Sequence, residues 1–102
     1  MTTYNYEFIE NDLLLIFEEM EQQHQLSELY PNNMLSFEGN MQHIREYIEI
    51  AGEYGLAYEL IVVNLENYPF SISGRSAVKL LELGLIMKYK TDRDEDIIFD
   101  LR

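Results

Sequence analysis

Apolar positions recur along this chain mainly at spacings of three and four, the signature of helices packed on one face. Leu13, Leu14, Ile16, Phe17 and Met20 follow Asn11-Asp12, which predicts a capped amphipathic helix running to about Leu29. Tyr4 to Ile9 either extends it backwards or packs as a tail. Tyr30-Pro31-Asn32-Asn33 ends it, because the residue before a proline is pushed out of the helical region. After a loop to about Gly39, Asn40 is the expected cap of a second helix. Met41, Ile44, Ile48 and Ala51 share one face of that helix, with Glu46, Glu49 and Glu53 opposite.

Gly52 to Gly55 predicts a tight turn into a third helix, from Leu56 to about Tyr68. Leu60, Ile61, Val62, Val63 and Leu65 make it apolar nearly all round, so a central position is expected. A strand is the rival for Ile61-Val62-Val63, but Ala57, Glu59, Leu60 and Leu65 around them favour helix. Tyr68-Pro69-Phe70 is the next break, and Ser71 or Ser73 caps a fourth helix. Ala77, Val78, Leu81, Leu85 and one edge of Leu80 to Met87 make up that helix, and its expected end is Lys88 and Lys90, which suit the negative end of a helix dipole. Gly84 inside that helix costs about 1 kcal/mol against alanine, so a close helix–helix approach is expected there. A last segment, Asp92 to Leu101, offers Ile97, Ile98, Phe99 and Leu101 for docking. The pattern predicts an all-α fold: a compact bundle of four to five helices with short loops, in a single helical domain over residues 1–102.

Charge changes the picture more than composition does. The 102 residues carry a formal net charge of −12, and residues 1–74 hold it all, with thirteen acids against one base, Arg45. Residues 75–102 hold six of each and sum to zero. Such a field repels nucleic acid and anionic membrane and attracts basic protein surfaces. A plainer reading is a solvated surface tuned for solubility. Without cysteine there is no disulfide framework, zinc-thiolate site or thiol nucleophile. The N-terminus has no basic region followed by an apolar run, and no apolar run is long enough to span a membrane, so a cytoplasmic location is expected.

Chemistry is thinly signalled. Asp92, Asp94 and Asp96 imitate the opening of a calcium loop, but the sixth position is Ile97 instead of glycine and the glutamate position falls beyond Arg102. His24 and His43 lie far apart, neither with a histidine four residues on. No metal site and no cofactor are expected. No nucleophile elbow, phosphate-cradling glycine loop or His-Asp-Ser order is present, so no enzyme is expected; a carboxylate pair in a closed pocket is the one catalytic alternative.

Binding is the remaining class. Eight tyrosines and no tryptophan favour contact with protein, since tyrosine offers rigid area with a polar tip. Tyr54 and Tyr58 fall among the acids of the second and third helices. Glu59 and Glu66 share a face of the third as Glu46 and Glu53 do on the second. The expected partner-binding set is Glu46, Glu49, Glu53, Tyr54, Tyr58, Glu59 and Glu66, with either tyrosine as the buried centre. Edge-of-core packing is the competing role for each tyrosine.

Gly52-Glu53-Tyr54-Gly55-Leu56-Ala57, then Leu60, Leu65, Ile72-Ser73 and Leu80-Leu81-Glu82-Leu83-Gly84, resemble the MafI-like immunity proteins. These small helical proteins protect bacteria from polymorphic toxins or those of contact-dependent growth inhibition. The similarity covers residues 44–87; the acidic N-terminal helix is longer here and the C-terminal tail more charged. The resemblance implies an immunity protein that binds a cognate toxin C-terminal domain, a basic nuclease being the class that fits an acidic helical surface. The alternative is an acidic nucleic-acid mimic or regulatory adaptor on a basic host protein. Neither contacts nucleic acid directly or a membrane, and a homodimer through the third and fourth helices is compatible with both.

Overall fold

The computed structural model describes residues 6–94, with side chains to residue 87. Within that range every regular element is helical and no strand forms. Helix α1 spans Tyr6–Glu21, a 3-10 segment spans His24–Leu29, α2 spans Phe37–Glu46 and runs into a π-turn at Tyr47–Ala51, α3 spans Tyr54–Asn67, and α4 spans Gly74–Asp94. Among the described residues no helix is long and apolar enough to cross a membrane. The all-α bundle expected from the apolar spacing is the observed fold.

Helix α1 is the centre of the bundle and touches all three others. Ile9, Leu13, Ile16, Phe17 and Met20 are buried along it, and they meet Phe37, Met41, Ile44 and Ile48 from the second helical unit, Ala57 and Ile61 from α3, and Leu83 from α4. The helix starts upstream of the expected cap, which places Asp12 in its middle facing α4. It stops at Glu21, not at about Leu29, because Gln22-Gln23-His24-Gln25 supplies no apolar residue to continue the buried stripe. Gln23 closes the end: its backbone N–H donates to the Met20 carbonyl at 3.0 Å and its side-chain amide to the Glu19 carbonyl at 2.9 Å.

Ser36, not Asn40, caps α2, its Oγ accepting from the Gly39 N–H at 3.0 Å. Asn40 lies one turn inside, where its amide donates to the Leu35 and Ser36 carbonyls and its Oδ1 accepts from the Asn64 amide at 3.0 Å. Met41, Ile44 and Ile48 are buried as expected, whereas Ala51 is exposed. The wider π-turn rotates the backbone out of phase before Ala51. Gly52 then turns the chain with φ +64, a conformation that an L side chain rarely adopts.

The apolar stripes of α3 and α4 depart from expectation. Only Ala57, Ile61 and Asn64 of α3 are buried, while Leu56 is 49% and Val63 46% exposed. On α4 the apolar residues Ala77, Val78, Leu81 and Leu85 all face outward, Leu81 at 70% and Leu85 at 71% exposure, and the buried edge is the one within Leu80 to Met87. Ser76 and Leu83 face α1 instead, with Lys79, Leu80, Ile86 and Met87 half-buried beside them. That rotation follows from polar anchors. Glu19 accepts from both the N–H and hydroxyl of Ser73 at 2.8 Å, and Lys79 reaches the buried Asp12 at 3.6 Å. Ser73 also caps α4, accepting from the Ser76 N–H at 3.1 Å.

Helix α4 does not end at Lys88 and Lys90 but continues through Asp94. Asp92 and Asp94 thus lie within it, and the rest of the segment expected to dock, with Ile97, Ile98, Phe99 and Leu101, lies outside the described residues. Gly84 has the close approach that its place in a helix called for. A β-carbon there would sit 2.8 Å from the Tyr58 hydroxyl oxygen.

Candidate partner-binding surface

The first turn of α3 is built on the Gly52 turn, and Glu53 is left at its N-cap with an exposed side chain that makes no cap bond. Tyr54 opens the helix and leans back on α1. Its ring lies 6.1 Å from that of Tyr6, and its hydroxyl donates to Glu10 Oε1 at 3.1 Å. Burial and that carboxylate raise the Tyr54 phenol above its ordinary value. Between this turn, the start of α1 and the inner edge of α4 lies a cleft of about 740 Å³, whose lining includes Tyr6, Ile9, Tyr54, Leu56 and Ile86, with Glu53 and Glu59 as its carboxylates.

The outer face of α3 continues from this cleft. Leu56, Glu59, Val63 and Glu66 succeed one another at spacings of three and four, and all four are exposed. Two half-exposed apolar side chains thus alternate with two carboxylates on a single ridge. An apolar centre with a charged surround is the usual anatomy of a protein-binding patch.

Of the seven side chains expected at the surface, Glu53, Tyr54 and Glu59 come together around the cleft and Glu66 extends the ridge. Tyr58 faces the other way, half-buried against Gly84 of α4, and burial raises its phenol above the ordinary value, with Glu59 adding to the shift. Glu46 and Glu49 sit apart from the cleft. Glu46 accepts from Gln42 at 3.2 Å and lines a second groove with Glu21, Glu38 and Arg45, while Glu49 lies 3.5 Å from Arg45. The π-turn and the Gly52 turn intervene between Glu46 and Glu53, so the seven-residue spacing does not leave them on a common helical face.

Arg45, the one base of the first 74 residues, is held within the acidic region. Its Nη2 reaches both oxygens of Glu21, at 2.8 and 2.7 Å, and the guanidinium carbon lies 5.0 Å from the centre of the Phe17 ring. The hydrogen bond that Arg45 donates to Glu21 raises the Arg45 pKa further.

Leu56, Val63 and Tyr6 are the surface residues that sequence reasoning missed. A signal was available for the first two. A helix apolar nearly all round that also carries Glu59 and Glu66 on one face must expose whatever apolar residues share that face. Tyr6 gave no such signal, since its place depends on where α1 begins. Among the described residues no group of three or more His, Asp or Glu side chains is placed to hold a metal ion. No family model matches the chain, and comparison with curated proteins and with solved structures finds no match either.

Proposed function

We propose that this protein is an immunity protein that binds and neutralises a basic toxin domain, a nuclease being the class its charge suits best. The observation that carries this reading is the ridge of α3, where Leu56 and Val63 are half-exposed between the exposed carboxylates of Glu59 and Glu66, beside the Glu53–Tyr54 cleft. An apolar centre supplies affinity, and the acids around it supply selectivity and encounter rate. A nuclease cleft is basic because it must hold phosphates, so residues 1–74, whose thirteen acids face one internally paired base, complement it in charge. The resemblance of residues 44–87 to the MafI-like immunity proteins directs the choice of partner to a toxin.

The test is binding of this chain to the toxin-like C-terminal domain encoded next to its gene, at low and moderate salt. Nanomolar affinity with an on-rate that falls as salt rises is expected. Charge reversal at Glu59 and Glu66 together is expected to slow association, and Val63→Asp to speed dissociation. Absence of binding to any such neighbour would overturn the immunity reading.

A further inference from the structure

We propose that the cleft beside Tyr54 is a socket for an arginine side chain carried on an exposed segment of the partner protein. The inference rests on the reading above and specifies what it leaves open, namely the partner group that enters. The cleft has two kinds of wall. Ile9, Leu56 and Ile86 are apolar and suit a methylene stem, while Glu53 and Glu59 bring two carboxylates to the same cavity. Neither apolar walls nor carboxylates alone would choose a ligand class. Together they select a group with an apolar shaft and a cationic head.

Arginine fits this combination better than lysine for two reasons. The rings of Tyr6 and Tyr54 stand 6.1 Å apart, tilted by 34°, and both line the cleft. A guanidinium stacks on such faces and is more weakly hydrated than an ammonium, so it loses less on entering. Its five donors can also engage more than one carboxylate, whereas an ammonium acts as a point charge. Space is sufficient: a cleft of about 740 Å³ is in the range of small-molecule sites and admits a side chain with part of its backbone.

The start of α3 contributes a second feature. The Glu53 side chain makes no capping bond to its first N–H groups, and a β-carbon added at Gly55 would meet nothing within 4 Å. A peptide segment brings carbonyl acceptors for uncapped N–H groups as well as the cation for the carboxylates. A free anion would satisfy the N–H groups too, but Glu53 and Glu59 oppose its approach.

The experiment uses a capped glycine pentapeptide with arginine at its centre, titrated into the full isotope-labelled chain and followed by NMR. Saturable shifts are expected at the amides of Glu53, Tyr54, Gly55 and Glu59. The citrulline version, isosteric but uncharged, is expected to bind on the order of tenfold more weakly, the worth of one charge-assisted hydrogen bond, and the lysine version is expected to fall between. Glu59→Gln and Tyr54→Ala are expected to weaken arginine binding several-fold, Tyr54→Phe much less because the ring stays, and Glu46→Gln not at all. Equal binding of the citrulline peptide, shifts spread evenly over every acidic face, or the same amides responding to inorganic phosphate instead would each overturn the socket. If the peptide fails while the toxin domain still binds, the socket is wrong and the immunity reading stands. If the peptide binds at the cleft and no toxin domain does, the immunity reading fails and the socket remains.

Discussion

The hydroxyl of Tyr58 lies across Gly84, 2.8 Å from the point a β-carbon would occupy. An absent side chain on α4 thus makes room for a tyrosine from α3, and the two helices meet through that fit. The same contact turns Tyr58 inward and leaves Tyr54 as the tyrosine of the pair that lines the cleft.

Gly84→Ala alone is expected to destabilise, because the gain of about 1 kcal/mol in helix propensity is outweighed by overpacking of about 1–3 kcal/mol. In a Tyr58→Phe background the nearest atom becomes the ring carbon at 3.7 Å, an ordinary contact. There Gly84→Ala is expected to stabilise by up to about 1 kcal/mol. Urea unfolding of the four proteins in this cycle would show the change of sign, and equal effects in both backgrounds would rule the contact out.

Asn64 is 1% exposed and joins three elements. Its Oδ1 accepts from the Tyr30 hydroxyl at 2.5 Å, and its amide donates to Asn40 Oδ1 at 3.0 Å and to the Leu60 carbonyl at 2.9 Å. Tyr30 is also stacked on Tyr68 at 3.8 Å, so its hydroxyl has little freedom to find another partner. Burial raises the Tyr30 phenol well above its ordinary value, and it stays a donor throughout the working pH range. Asn64→Ala is expected to cost about 2–4 kcal/mol, as the buried Tyr30 hydroxyl is orphaned and the amide's own bonds are lost. Tyr30→Phe, which orphans one acceptor only, is expected to cost less. Denaturant midpoints for the two variants test the order.

Leu83 and Leu81 are two residues apart on α4 and opposite in burial, at 0% and 70% exposure. Leu83→Ala is expected to cost about 2–5 kcal/mol through the cavity it leaves against α1. Leu81→Ala is expected to stay within about 0.5 kcal/mol. A thermal unfolding scan of both separates the observed rotation of α4 from the one its apolar pattern predicts, under which Leu81 would be the costly position.

Asp12 and Glu19 contribute to acid stability with opposite signs. Burial raises the Asp12 carboxyl above 3.8, against the pull of Lys79 and with Glu82 adding to the rise. The folded chain therefore binds that proton more tightly than the unfolded chain, and the contribution of Asp12 falls as pH rises from 3.8 through the folded value. The Ser73 N–H lowers Glu19 below 4.5, so its contribution is complete above 4.5 and is lost as pH falls through the folded value. Glu19→Gln is expected to lower stability at neutral pH and to flatten the loss below 4.5. Asp12→Asn is expected to remove the opposing slope above 3.8. Unfolding free energies measured from about pH 3 to pH 7 would give both slopes by linkage.

Much of the fold was legible in local spacing. The repeat of Met41, Ile44 and Ile48 placed a helix and its buried side, Gly52 to Gly55 announced a tight turn, Ser71 or Ser73 the cap of α4, and Gly84 the close approach. The placement of the expected side chains was legible in part, since Glu53, Tyr54, Glu59 and Glu66 do lie on or beside one ridge. The turn and the cap depend on a few neighbouring residues, and local sterics and local hydrogen bonds decide them.

What only the tertiary structure decided is which way each helix faces. Leu81 and Leu85 were as apolar as Leu83, yet Leu83 is the one buried, because Glu19 holds Ser73 and Asp12 holds Lys79 at distances in sequence of 54 and 67. Gln23 adds a clamp across the same gap, donating to the Ser71 carbonyl at 2.6 Å and accepting from its N–H at 2.9 Å. Helices rich in apolar residues have several faces that could be buried at similar gain. The polar groups that must find partners are fewer and more demanding in geometry, so they select the rotation. By itself the sequence determined that helices form and that the first 74 residues are acidic. The choice of Tyr54, Leu56 and Val63 over Tyr58, Glu46 and Glu49 as the contiguous surface came from rotations that no local pattern contains.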